Sequence, residues 1–262
     1  MDPIYNSIGK TYSATRVADP RIVDRLCDLL DLSVGSRILD VGAGTGNYSQ
    51  TLAERGFYVT ALEPSEVMRV QGKQHPHLKW VEGVAEALPF GQGVFDGIVM
   101  TLCVHHFHDW KMALAEASRV VGKGPIVILA FDALYESGFW LFDYFPEFQA
   151  KDREWFPPVQ AISEYCTEEL TCIFEAHRFP LPRDLKDLFA ASAWSRPEMY
   201  LDPQFQAGVS SFAVTDEGGT RSGLQALETD LKTGDWERKY RKFRSLEHFD
   251  AGYRFFRIQA QR

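Results

Sequence analysis

The sequence predicts an α/β fold in which a mostly parallel sheet carries helices on both faces. Short apolar segments alternate with segments of helical periodicity from residue 36 to residue 131. Several of the apolar segments are hydrophobic along their full length, as strands covered on both faces should be. A glycine-rich stretch, "DVGAGTG" at 40–46, ends the first of them. In parallel sheets, ligands bind at such carboxyl ends of strands.

The elements follow in order along the chain. A first helix is predicted over 18–32, where Asp19 suits the cap and Pro20 the first turn. The predicted strands are 36–41, 57–63, 78–83, 94–101 and 125–131, and the predicted intervening helices are 47–56, 64–73 and 109–121. This alternation favours βαβ units with right-handed crossovers, and therefore parallel strands.

The rhythm breaks after residue 132, where prolines become frequent. The segment 167–194 is expected to hold a helix, a strand and a second helix. A later helix should break near Gly234, and 251–261 is β-rich enough to close the sheet as its last strand. Aromatic residues concentrate in "FWLFDYFPEFQAKDREWF" at 139–156.

Composition limits the possible functions. The chain has 262 residues, a net charge of −8 and four cysteines without zinc-site spacing. An acidic protein has no general attraction for nucleic acid or anionic membranes. No signal peptide or membrane-spanning run is apparent. We therefore expect a cytoplasmic monomer or homodimer with no metal site, no nucleic-acid partner and no membrane partner.

The glycine stretch and the second strand together predict an adenosine-containing ligand. Glycines allow positive φ angles and close approach of the backbone to a ligand. Glu63 ends the second strand, 17 residues after Gly46, where an acidic side chain can accept hydrogen bonds from ribose hydroxyls. The G-A-G-T-G spacing disfavours a nicotinamide-dependent oxidoreductase, which prefers G-x-G-x-x-G. A purely structural turn remains an alternative.

Four motifs then occur in order: "ILDVGAGTGNYSQTLAERG", "VTALEPSEVM", "VEGVAEALPF" and "FDGIVMTLCVHHFHDWKMALAEASRVVGKGPIVIL". Together they resemble class I S-adenosylmethionine-dependent methyltransferases, the small-molecule group similar to ubiquinone and menaquinone methylases. The likeness covers about residues 36–131. It implies a Rossmann-like, mostly parallel seven-stranded sheet with helices on both faces and an added, mainly helical cap.

The resemblance also implies a division of the chain and a cofactor. Residues 1–35 would form an N-terminal lid and first helix, 36–132 the cofactor-binding core, 133–250 the acceptor-binding cap, and 251–262 the closing strand. The implied cofactor is S-adenosyl-L-methionine, with S-adenosyl-L-homocysteine as product.

The resemblance assigns cofactor contacts to matching positions. The glycine loop would surround the methionine and ribose parts, Glu63 would hold the ribose, and Pro64, Ser65 and Met68 would flank the adenine. Where the family often has an acidic residue after the glycine, this chain has Val84, so the contact passes to Ala85 or Glu86. The remaining implied cofactor residues are Tyr12, Arg16, Asp40, Gly42, Ala43, Gly44, Thr45, Gly46, Asn47, Thr101 and Leu102.

Two neighbouring histidines are the candidates for catalysis. His105 and His106 follow the fourth strand, near the expected methyl group, and histidine titrates near neutrality. Either would act as a base or orient the acceptor. The alternative is that they only pack the loop or cap the next helix.

The aromatic cluster and the chain's N-terminus predict an acceptor pocket. Tyr5, Tyr12 and Arg16 would close the site as a lid, unless this segment simply docks on the surface. The predicted pocket residues are Tyr5, Trp140, Tyr144, Phe145, Trp194 and Arg196. The alternative for the aromatic residues is the core of a helical cap.

The leading hypothesis is methyl transfer by in-line displacement to a small organic acceptor. A methyltransferase of tRNA or another macromolecule is one alternative. The basic stretch "ERKYRKFR" at 237–244 could contact nucleic acid, but in a chain with a net charge of −8 an exposed helix face is the better interpretation. A non-catalytic cofactor-binding protein of the same fold is the other.

Overall fold

The computed structural model describes residues 16–261, and a seven-stranded sheet forms its centre. Its strands are β1 (Arg37–Val41), β2 (Tyr58–Leu62), β3 (Leu78–Val81), β4 (Gly97–Thr101), β5 (Ile126–Phe131), β6 (Cys172–Arg178) and β9 (Tyr253–Ala260). The order is β3-β2-β1-β4-β5-β9-β6, and β9 runs antiparallel to both of its neighbours. The predicted fold class is confirmed. Tyr5 and Tyr12 lie outside the described residues.

Helices cover both faces of this sheet and also build the cap. They are α1 (Pro20–Leu30), α2 (Asn47–Glu54), α3 (Glu66–Arg69), α4 (Trp110–Val121), α5 (Leu141–Tyr144), α6 (Pro146–Trp155), α7 (Val159–Glu164), α8 (Pro203–Ala207), α9 (Ser210–Val214), α10 (Glu217–Thr233), α11 (Asp235–Tyr240) and α12 (Lys242–Ser245). Short 3₁₀ segments occur at Val104–His106 and Pro197–Leu201.

The alternation of side chains along the strands builds two cores. In β5, Val127 and Leu129 join the core that includes the buried faces of α1 and α2. Ile126 and Ile128 point to the other face and join the core that includes α4. Because both faces of β5 are covered, all of its residues are buried.

Local signals explain where the predicted helices begin. Asp19 caps α1 by accepting a hydrogen bond from the Arg21 amide at 2.9 Å, and Asp109 caps α4 by accepting bonds from the amides of Lys111 and Met112. The predicted break at Gly234 is also present, since this residue has φ +79° between α10 and α11.

The structure differs from expectation after β2 and within the predicted cap. The helix predicted over 64–73 is only Glu66–Arg69, and the second helix predicted before residue 194 is replaced by turns from residue 183 to residue 195. The predicted cap range 133–250 also contains β6, which belongs to the main sheet because it pairs with β9. Among the described residues, no helix has the length and apolar character needed to cross a membrane.

A small ribbon closes the end of the cap. Its strands are β7 (Leu181–Pro182) and β8 (His248–Phe249), in which Leu181 pairs with Phe249 and Pro182 with His248. Residues 183–247 therefore begin and end at this ribbon, next to the start of β9.

Candidate functional site

The loop after β1 adopts a conformation that its glycines permit. Gly42, Gly44 and Gly46 all have positive φ angles, between +59° and +74°. A Cβ atom on Gly42 would lie 2.7 Å from Cys103 Cβ, and one on Gly46 would lie 2.6 Å from the Trp80 ring. Glycine is therefore required at 42 and 46 both by backbone angle and by packing.

The Glu63 side chain, at the end of β2, binds the same loop. Its Oε2 accepts a hydrogen bond from the Gly44 amide at 2.9 Å and its Oε1 accepts one from the Ser65 amide at 2.9 Å. The residue is only 6% exposed, and burial raises the pKa of its carboxyl group, against the lowering effect of these two amides. Each oxygen keeps a further lone pair for a ligand hydroxyl.

Asp40 is a second buried carboxylate beneath this loop. Its Oδ2 accepts a hydrogen bond from Ser49 Oγ at 2.5 Å. Burial raises the pKa of Asp40 to about 7, and the nearby charge of Glu63 adds to that increase. Two carboxylates so close together favour a ligand that carries positive charge or hydrogen-bond donors.

Four further residues predicted to bind the cofactor follow β2 or lie at the end of β4. Ser65 caps α3 by accepting a hydrogen bond from the Met68 amide, and Met68 is buried beside Gly44. The side-chain oxygen of Thr101 is buried and has no hydrogen-bond partner among the described residues, so it can serve a ligand. Leu102, which follows it, has φ +55°, a strained angle for a side chain of this kind.

The positions after β3 differ in accessibility. Val84 is 46% exposed, whereas Ala85 is buried. Glu86 Oε1 accepts hydrogen bonds from the amides of His108 and Asp109 at 2.6 and 3.2 Å. The Glu86 carboxylate therefore fixes the segment before α4, and its oxygen lone pairs that accept no hydrogen bond remain available to a ligand.

Arg16 ties the loop side of the site to the cap. Its guanidinium forms an ion pair with Asp187 through Nε and through Nη2, the latter bond to Oδ2 at 3.0 Å. Tyr48, on α2, donates its hydroxyl to the same Asp187 oxygen at 2.8 Å. Asn47 Nδ2 donates to the Arg16 carbonyl and to Thr45 Oγ1. Asp187 thus joins three parts of the fold.

An aromatic cavity opens beside these residues. Arg16, Leu102 and His105 line it. The segment around α5 and α6 contributes Phe139, Phe142, Phe148, Trp155 and Phe156, and other elements contribute Phe131, Phe189 and Tyr253. The cavity therefore lies next to the carboxyl ends of β4 and β5.

The two histidine rings contact each other at an interplanar angle of 45° in the 3₁₀ segment at the edge of this cavity. Their ring centroids are 3.8 Å apart, and the His105 ring also stacks on Phe156 at 4.2 Å. Burial lowers the pKa of His106 to about 4, helped by Arg16. Burial also lowers the pKa of His105 well below its usual range, helped by His106 and Arg16. Both rings are neutral near pH 7, and only His105 lines the cavity.

Asp152 is an acidic side chain on the cavity wall. Burial raises the pKa of its carboxyl group to about 7. Its negative charge contributes to the raised pKa of Tyr253, which lines the same cavity. A half-buried carboxylate with a pKa near neutrality can exchange a proton with a ligand.

The aromatic residues predicted for the acceptor pocket lie elsewhere. Trp140 and Trp194 are fully buried, and Trp140 Nε1 donates to the Trp194 carbonyl at 2.8 Å. Tyr144 donates its hydroxyl to Asp230, and Phe145 is fully buried against Phe148. The structure places these four side chains in the core of the cap and not on the cavity wall, because large apolar rings bury most area there.

Arg196 is also absent from the cavity wall. Its Nη2 donates to the Ser192 carbonyl at 3.2 Å, and burial lowers its pKa. Its Nε atom is buried with no hydrogen-bond partner among the described residues.

Sequence reasoning missed several residues that the fold brings to the site. Asp187 and Tyr253 come from distant segments, and neither carries a local signal. Asp152, Trp155 and Phe156 do lie within the aromatic cluster at 139–156. That stretch contains four acidic residues, Asp143, Glu147, Asp152 and Glu154, and no local signal distinguishes Asp152 from the other three.

Comparisons with known proteins connect this geometry to a family. A family model described as a methyltransferase domain matches residues 39–129. Demethylmenaquinone methyltransferase of Renibacterium salmoninarum is 36% identical over 97 residues, which are 37% of this chain and 41% of that relative. A second demethylmenaquinone methyltransferase, from Beutenbergia cavernae, is covered over 63% of its length. The chain therefore spans less than two thirds of these curated relatives.

A solved structure gives the fuller match. It comes from Anabaena variabilis and is provisionally described as a methyltransferase from an antibiotic biosynthesis pathway. The two chains are 43% identical, with coverage of 94% of this chain and 99% of the other, and superpose with a TM-score of 0.89. The match to this structure is nearly complete, and the methyltransferase domain is matched over residues 39–129. This protein, which is similar to the menaquinone methylases, therefore belongs to the class I methyltransferases that use S-adenosylmethionine.

Proposed function

We propose that this protein transfers a methyl group from S-adenosylmethionine to a small organic acceptor bound in the aromatic cavity. One observation carries the proposal. Arg16 and Leu102 belong to the residues assigned to the cofactor, and both also line the cavity beside His105. A donor bound at the glycine loop and an acceptor in the cavity would therefore meet at Leu102.

The residues around the loop fit such a cofactor. Glu63 offers free lone pairs to ribose hydroxyls, Thr101 offers an unpaired hydroxyl, and Asp40 offers negative charge to a cationic ligand. When bound, the cofactor supplies an electrophilic methyl group on a positively charged sulfur. The protein's own contribution is alignment and exclusion of water, which can supply roughly 7–11 kcal/mol in favourable cases.

The walls of the cavity support a small acceptor. Its lining is mainly aromatic and apolar, with a few polar groups, as in sites for small organic molecules. The basic residues of 237–244 are largely engaged by acidic partners, since Arg244 pairs with Glu198 and Glu237, and Lys239 with Asp230. This pairing disfavours the alternative of a tRNA or other macromolecular acceptor. We extend the proposal to a cytoplasmic monomer or homodimer.

Calorimetry and a transfer assay test this function. We expect S-adenosylmethionine and S-adenosylhomocysteine to bind, and NAD not to bind. Radiolabelled methyl groups should then appear in extracts of small metabolites and not in tRNA or protein. Binding of NAD with no response to either sulfur compound would overturn the proposal, and binding without transfer to any fraction would favour a non-catalytic protein.

A further inference from the structure

Asp152 is the unpaired charge of the aromatic cavity. Within residues 16–261, no cation or hydrogen-bond donor is paired with its carboxylate. An ionised carboxylate in such a place is costly to bury without a partner. A ligand that brings positive charge would remove this cost.

The other charged or titratable groups on the wall do not satisfy Asp152. Arg16 is held in its ion pair with Asp187, so its charge is already balanced. His105 is neutral near pH 7 because burial lowers its pKa, and Tyr253 stays protonated because burial and nearby charge raise its pKa. The wall therefore has a net negative charge whenever Asp152 is ionised.

The rings of the cavity also favour a cation. Phe148, Phe156 and Tyr253 line the same space as the Asp152 carboxylate, and the Trp155 ring on this wall already has the Lys151 ammonium 5.3 Å from its centroid. The faces of aromatic rings attract cations, by about 0.5–2 kcal/mol for each favourable contact. Aromatic faces and one carboxylate form an environment complementary to an organic ammonium group.

We propose that the methyl acceptor is an amine, and that Asp152 binds its ammonium form and takes the proton that it loses. This inference rests on the proposed function, because it assigns an acceptor class to the same cavity. Asp152 would then be a catalytic residue, since its carboxylate touches the reacting nitrogen's hydrogens.

The proposed reaction balances in two steps. The ammonium group gives one proton to the Asp152 carboxylate, which leaves a neutral amine with a free lone pair. That lone pair forms the new nitrogen–carbon bond while the methyl–sulfur bond breaks and its electron pair stays on sulfur. The positive charge moves from sulfur to the methylated nitrogen, and the Asp152 proton passes to solvent.

Binding measurements with matched probes test the inference. The probes are benzylamine, 2-phenylethylamine and 3-phenylpropylamine, each compared with the alcohol of the same carbon skeleton. Calorimetry uses the full chain saturated with S-adenosylhomocysteine, in three forms: the unchanged protein, Asp152→Asn and the control Glu154→Gln. Glu154 lies on the same helix, but it is 67% exposed and pairs with Lys151.

We expect at least one amine to bind the unchanged protein and the control at least tenfold more tightly than its alcohol. Asp152→Asn should abolish this preference and leave alcohol binding unchanged, which would also show that the variant is folded. With S-adenosylmethionine, methyl transfer to the preferred amine should fall at least tenfold in Asp152→Asn. No preference for any amine, or a preference that survives in Asp152→Asn, would overturn the inference. Loss of S-adenosylhomocysteine binding would instead count against the proposed function.

Discussion

Asp187 holds Arg16 at the cavity, although the two residues are 171 positions apart in the chain. The pair connects the segment before α1 to the cap, and Tyr48 joins it from the cofactor side. Asp187 is only 1% exposed and the Arg16 side chain 11%. An ion pair at this depth is sensitive to the loss of one partner.

Asp187→Asn should destabilise the protein by about 3 kcal/mol, because it removes a buried carboxylate charge that pairs with the Arg16 guanidinium. Urea unfolding measures the change. Asp184→Asn is the matched control in the same segment, since Asp184 is 76% exposed in its pair with Arg21 and its loss should change the stability far less. Equal losses in the two variants would contradict the role of burial.

Gly42→Ala should destabilise the fold more than Gly93→Ala does. Both glycines have similar positive φ angles, +70° and +64°, but only the Gly42 position would bring the new methyl group within 2.7 Å of Cys103. The difference between the two losses of unfolding free energy separates the effect of crowding from that of backbone strain. We expect this difference to be about 1–3 kcal/mol. Thermal unfolding of the two variants in parallel measures it; matching losses would show that the Cys103 contact relaxes freely.

Glu63→Gln should weaken S-adenosylmethionine binding more than tenfold, which is over about 1.4 kcal/mol. The amide group would turn an N–H donor toward the amide of either Gly44 or Ser65, both of which are donors. It would also remove charge near the ribose. Calorimetry tests this against Glu66→Gln, an exposed position on α3. Unchanged affinity in Glu63→Gln would remove this residue from the ribose role.

Because the pKa of Asp40 is raised, we expect the stability of the ligand-free protein to fall as the pH rises. Its folded pKa is about 7, above the usual aspartate value of 3.8, so the folded state retains a proton that the unfolded state has lost. The associated stability is present below pH 4 and is lost as the pH rises toward 7.

The difference in unfolding free energy between the unchanged protein and Asp40→Asn isolates this effect. Asn cannot titrate, and its side-chain oxygen can still accept the bond from Ser49 Oγ. From pH 5 to pH 7.5 the unchanged protein should lose about 2–3 kcal/mol relative to the variant. A difference that stays constant over this range would mean that Asp40 titrates normally.

The sequence predicted the sheet well because each parallel strand leaves a local pattern. The run "PIVILAF" is apolar throughout, and the structure buries β5 on both faces. The edge strand β6 is harder to assign, since exposed and buried residues alternate irregularly along it. Its place beside β9 depends on pairing with a segment far along the chain.

The cavity was harder to predict than the loop. Glycines and Glu63 act through neighbours in sequence, whereas Asp187 and Tyr253 reach the cavity only through tertiary contacts. Aromatic composition indicated the correct segment around α5 and α6, but composition cannot tell which rings face inward. Trp140 fills the core, while Trp155 and Phe156 line the cavity.

The ribbon of β7 and β8 brings the two ends of residues 183–247 together. Because Leu181 and Phe249 are paired, residues 183–247 leave and re-enter the fold at a single fixed point. That stretch contains no strand of the main sheet, but it supplies Asp187 to the bonds with Arg16 and Tyr48, so a replacement must keep this aspartate. Exchanging it with the corresponding stretch of a relative would replace Ala191 and Val209 of the cavity wall, while the glycine loop would stay in place.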